Sequence, residues 1–107
     1  MAIHWRGKKP DPRAKQILDA LQPYLEDHPQ AEIEAYRQNS VSVRLRILNP
    51  EFAGKSRAQR EEEVWAVLNQ LSEETAAEIS QLLLFTPDEA KQSFASFEFD
   101  EPIPSKL

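Results

Sequence analysis

Two alternating runs that meet at Asn39 and Ser40 leave the first half of this chain little freedom. In Ala31 to Gln38, Ile33 and Ala35 alternate with Glu32, Glu34 and Tyr36; in Ser40 to Leu48, Val41, Val43, Leu45 and Ile47 alternate with Ser42, Arg44 and Arg46. A period of two means strand, and so short a connection permits only an antiparallel hairpin. Its polar face would set Glu32 and Glu34 across from Arg44 and Arg46, each such contact adding a few tenths of a kcal/mol. Its apolar face needs a cover, which must come from helices elsewhere in the chain.

The helices announce themselves by their caps. Asp11 followed by Pro12 starts one, because a proline at the first position gives up an N–H that has no helical partner anyway. Ile17, Leu18, Leu21 and Leu25 share a face of it, and Pro23 is expected to kink it or end it near Leu21. The stretch Asn49 to Leu71 carries the second. Gly54 stands two residues before Ser56, and Ser56 with Gln59 forms a capping box, so the helix begins near Arg57. Val64, Leu68 and Leu71, with Trp65 and Val67 beside them, give it an apolar face. Trp65 is expected to be the largest buried residue of the core, the alternative being an exposed anchor for a partner.

After a polar break at 72–77, residues 78–85 fit either a helix (Ala76, Ile79 and Leu83) or a buried strand (Leu82 to Phe85); the shortness of the run favours the strand. Thr86-Pro87-Asp88-Glu89 is a second capping box, opening a short helix to about Ser93. The expected division is a basic flexible arm at 1–10, an α/β domain at 11–93 and an acidic tail at 94–107 containing phenylalanine and proline. Of Phe94, Phe97 and Phe99, at least two are expected to pack on the body or on a partner.

The 107 residues suffice for one core, and the absence of cysteine excludes disulfides and thiolate chemistry. A net charge of −5 disfavours nucleic acid as a partner, since that affinity comes from neutralising phosphates. With no apolar run of membrane length and no signal-like N-terminus, the expectation is a cytoplasmic protein without membrane contact. Ser105-Lys106-Leu107 matches the peroxisomal address, which makes the peroxisome the alternative in a cell that has one.

The order helix, strand, strand, helix, strand, with Phe52, Gly54, Ser56, Arg60, Val64, Trp65 and Leu68 at their spacings and Thr86-Pro87-x-Glu89 after the last strand, resembles the BolA-like family over roughly residues 14 to 90. The resemblance implies a single α+β domain, α-β-β-α-(α)-β, with a three-stranded sheet covered by helices on one face, as in class II KH domains. It also implies partnership with a monothiol glutaredoxin around an iron–sulfur cluster, held by a histidine at the start of the third strand and a histidine or cysteine in a longer loop between the first two. This chain departs from the family there. The strand start is Glu78 or Ile79, the hairpin turn is short, Glu61 stands where the family often has histidine, and cluster iron needs thiolate or imidazole donors. No cofactor or metal is expected.

Other constellations are weaker. Gly54-Lys55-Ser56 between a strand and a helix has the ending of a phosphate-binding loop but lacks its first glycine, while Lys55, Arg57 and Arg60 around a helix start could hold an anion or nucleic acid. The Gly-x-x-Gly clamp of KH domains lacks its second glycine here. Glu61-Glu62-Glu63 and Glu73-Glu74 fit solvated helix faces, and no nucleophile arrangement is present, so the chain is expected not to be an enzyme. The leading expectation is a regulatory BolA-like domain acting by contact with a protein partner through Phe94, Phe97 or Phe99, its oligomeric state open. The alternative is a KH-like RNA-binding module using Lys55, Arg57 and Arg60.

Overall fold

The computed structural model describes residues 3–102, and it begins with a strand where the sequence suggests an arm. Ile3–Trp5 forms β1, which pairs in parallel with the first hairpin strand, Ile3 opposite Ile33 and Trp5 opposite Ala35. Three residues are too few to display a period, yet Ile3 and Trp5 point into the core while His4 does not. The sheet therefore has four strands rather than three.

Helix α1 spans Pro12–Asp27, its N-cap Asp11 accepting from the Ala14 N–H. Pro23 neither ends nor shortens it. That residue sits on the solvent side with Asp19 and Glu26, so the Asp19 carbonyl deprived of its partner opens to water. Ala14, Ile17, Leu21 and Tyr24 form the buried stripe.

The hairpin forms as expected, from β2 at Glu32–Asn39 and β3 at Ser42–Leu48. Glu34 faces Arg46 in register, but Tyr36, not a glutamate, faces Arg44, and Glu32 lies opposite Leu48. Val41 falls in the turn and is exposed, so the inward alternation begins at Val43.

A 3-10 turn at Pro50–Phe52 leads to Gly54, whose φ of +80° is open to glycine at little cost. Then α2 runs over Arg57–Leu68 with both halves of the Ser56/Gln59 capping box made, and the single turn α3 covers Glu73–Ala76. Residues 79–85 are strand: β4 at Ile79–Phe85 pairs in parallel with β3. Helix α4 at Pro87–Gln92 follows the Thr86/Glu89 box, and α5 spans Phe94–Asp100. The sheet order is β1-β2-β3-β4.

One face of this sheet, with Ile33, Ala35, Val43, Leu45, Ile47 and Leu84, meets Ile17, Leu21 and Tyr24 of α1 and Val64 and Leu68 of α2. The other face is not bare. What reads as a tail from residue 94 is α5 lying across it, so helices cover both faces and the domain continues past 93. The buried line of α2 is Arg60, Val64 and Leu68, each four residues on from the last, which puts Trp65 on the flank. Trp65 is half-buried; the largest fully buried side chains are Phe52 and Phe99. No helix among the described residues is long and apolar enough to cross a membrane. The tripeptide at 105–107 lies outside the described residues.

Candidate functional site

The start of α2 gathers the three cations expected to hold an anion, and each already has a carboxylate. Lys55 Nζ lies 2.8 Å from Glu63, Arg57 Nε 3.0 Å from Glu61, and Arg60 Nη1 2.6 Å from Glu89. Arg60 is 8% exposed and acts as a hub. Its guanidinium donates to the backbone carbonyls of Phe52 (2.8 Å), Leu84 (3.0 Å) and Lys55 (3.1 Å) and to both oxygens of Glu89. A planar fork can serve several acceptors at once, so one side chain ties the 3-10 turn, β4 and α4 to α2. Lys55, Arg57 and Arg60 also line a cleft of about 600 Å³ along the outer side of β4, with Leu82, Phe85 and Ala95.

The Arg60 guanidinium and, after it, the Thr86 N–H hold the Glu89 carboxyl down at about 2. An unfolded glutamate titrates at about 4.3, so the folded value is depressed and the stability it contributes is present above that pH and lost as the pH falls through the folded value. The Asp11 carboxyl is lowered chiefly by Arg37. Burial pushes the Glu34 and Glu78 carboxyls up, but their arginine pairs outweigh it and both end below the ordinary value. Stability is therefore expected to be level from neutral pH to about pH 5 and to fall between about pH 4.5 and 2. Glu89→Gln should flatten part of that fall in urea unfolding followed against pH; an unchanged profile would deny Arg60–Glu89 its part.

At the end of the sheet where the family resemblance puts a ligand histidine, the structure has an ionic cluster. Glu78, just before β4, receives Arg13 at 2.9 Å and Arg37 at 2.9 Å, and Arg37 also reaches Asp11 at 2.8 Å. The two histidines lie elsewhere. His28 Nδ1 is 3.2 Å from Glu51 and its ring packs on Tyr24, while His4 is on β1. Among the described residues, no three His, Cys, Asp or Glu side chains are grouped to hold a metal ion.

The second sheet face is the feature that the residue pattern conceals. Arg6, Arg44, Arg46, Glu34 and Tyr36 point from it toward α5, which brings Glu98 to Arg44 at 2.9 Å and Asp100 to Arg46 at 2.9 Å. Arg46 also meets Glu34 at 2.9 Å and donates to the Ser96 hydroxyl at 2.9 Å. Phe99 is fully buried, edge-on to Tyr36 with centroids 4.9 Å apart, and the guanidinium carbons of Arg6 and Arg46 lie 5.0 and 4.7 Å from its centroid. That arrangement combines ion pairing with cation–π attraction. Phe94 and Phe97, three residues apart and so on one helix face, are 86% and 68% exposed.

No family model, curated protein or solved structure matches the chain. The geometry alone must then sort the candidates. It brings Lys55, Arg57 and Arg60 together but gives each a partner, and it separates Phe99, a core residue, from Phe94 and Phe97, which stand in solvent. The role of Phe99 had no clear signal in the sequence. The two arginines of β3 and the glutamate of β2 that alternate outward on the strands, with Glu98 and Asp100 some fifty residues on from Arg44 and Arg46, are the trace that a charge-pairing argument could have followed.

Proposed function

We propose that the protein is a non-catalytic, BolA-like domain that acts through protein–protein contact, without iron–sulfur ligands, and that its contact surface is the outer face of α5. One observation carries the reading: Phe94 and Phe97 form a ridge of two aromatic rings held in water on a helix whose other side is fixed to the sheet. Such rings are costly to expose and are frequent anchors of interfaces. The order α-β-β-α-α-β from α1 to β4 supports the reading, with β1 added before it and α4 and α5 after it. A regulatory role fits a domain that binds and performs no chemistry.

The KH-like RNA-binding alternative needs free cations. Lys55, Arg57 and Arg60 are matched one to one by Glu63, Glu61 and Glu89, so a phosphate backbone would have to displace a carboxylate at each. Affinity capture from the source cell tests the two readings together. A partner protein is expected to be retained by the wild type and lost from Phe94→Ser/Phe97→Ser, with thermal unfolding unchanged because neither ring is in the core. Equal capture by both forms, or retention of RNA that weakens steeply with salt, would overturn the proposal.

A further inference from the structure

We infer that α5 exchanges between two copies of the chain, so that a partner for the contact surface is a second molecule of the same protein; the inference rests on the reading of Phe94 and Phe97 given above. The helices α4 and α5 are joined by Ser93 alone, which is the C-cap of one and the N-cap of the other. Its φ of −87° lies near the helical range and its ψ of 126° does not. Rotation of that one ψ to about −40° would make 87–100 a continuous helix and carry α5 off its own sheet.

What α5 leaves behind defines what can replace it. Arg6, Arg44 and Arg46 would face outward with Glu34 as the only carboxylate of the four acid and base partners that stays on the sheet, beside the open ring of Tyr36. The group that fits is a phenylalanine with a carboxylate on either side, which is Glu98-Phe99-Asp100 itself. A second copy presents that segment with no change of chemistry, and the net charge of the docked face is the same whether α5 comes from its own chain or another.

The exchanged form also accounts for the exposed rings. In the straightened helix Ala90, Phe94 and Phe97 recur at spacings of four and three and make one apolar stripe. Among the described residues of a single chain, both rings stay largely in solvent. Two straightened helices, each reaching to the other copy's sheet, pass each other and can cover both.

Substitutions at Ser93 move the hinge in opposite directions. Alanine removes the hydroxyl that caps Ser96 N–H and is the best residue inside a helix; glycine is accepted as a cap and is poor inside a helix. With two hinges per dimer, the dimer dissociation constant of Ser93→Ala is expected to lie roughly 20-fold below that of Ser93→Gly, read by sedimentation equilibrium. Exchange itself is read by mixing. Glu98→Lys/Asp100→Lys and Arg44→Glu/Arg46→Glu each oppose like charges within one chain, yet together they offer two matched seats and should form a one-to-one heterodimer. If the doubly reversed sheet fails to fold by circular dichroism, Arg44→Glu mixed with Glu98→Lys makes the same comparison at one pair and leaves the buried Arg46 in place. Monomers at every concentration in both Ser93 variants, or no heterodimer from folded partners, would refute exchange. Should Phe94→Ser/Phe97→Ser still lose a different protein in that case, the contact reading stands without it; should that double variant dimerise like wild type, the contact reading is the part that fails.

Discussion

Replacing Arg60 with methionine is expected to lower the free energy of unfolding by about 3 to 5 kcal/mol. The side chain is buried and donates to the Phe52 and Leu84 carbonyls in buried contacts, which methionine would leave unpaired where water reaches poorly, while Glu89, more exposed, would keep only the Thr86 N–H. Arg60→Lys should recover little, since a single ammonium cannot span Phe52, Leu84 and Glu89 together. Arg57→Ala is the control. Its pair with Glu61 is an exposed contact one turn along the helix and should cost no more than about 0.5 kcal/mol. Equal and small effects at both positions in urea denaturation would mean that Arg60 is available for a ligand after all.

Phe52→Ala should be comparably severe, about 3 to 5 kcal/mol, because a fully buried ring is removed between the 3-10 turn and the Arg60 guanidinium stacked 5.4 Å from its centroid. Asn49 beside it holds the turn, donating to the Tyr24 hydroxyl at 2.9 Å and accepting from Glu51 N–H at 2.9 Å. Burial raises the Tyr24 phenol to about 12, opposed by that bond, so the ring stays neutral across the working pH range. Trp65→Ala should cost less, roughly 2 kcal/mol, since the indole lies at the edge of the core and is only partly buried. Thermal or denaturant unfolding of the two variants side by side ranks them, and a larger loss at Trp65 would contradict the packing described.

The elements with local signatures were legible from residues alone. Both capping boxes, the hairpin and the strand at 79–85 follow from patterns complete within a few positions. What was not legible depends on distant partners. The buried line of α2 opens with an arginine, so a reading by apolar spacing skips Arg60 and moves the face one residue over, onto Trp65. Pro23 is tolerated because of the side of the helix it falls on, which needs the packing to be known. The first strand is too short to have a period, and the last helix is held by Arg44, Arg46 and Tyr36, charges and a ring that lie half the chain away. For the site, the cations around residue 56 were found as a cluster, but their carboxylate partners at Glu61, Glu63 and Glu89 were read only as solvated faces or a cap.

The central claim is that contacts are made by the outer face of α5 and not by the basic start of α2. Site-specific photo-crosslinking in the source cell addresses it directly, with a benzoylphenylalanine placed at Phe97 in one version of the protein and at Arg57 in another. Both positions are well exposed, so neither probe disturbs the core. The account predicts discrete protein adducts from position 97 on irradiation and none from position 57. Adducts from position 57, to RNA or to protein, with none from position 97 would contradict it.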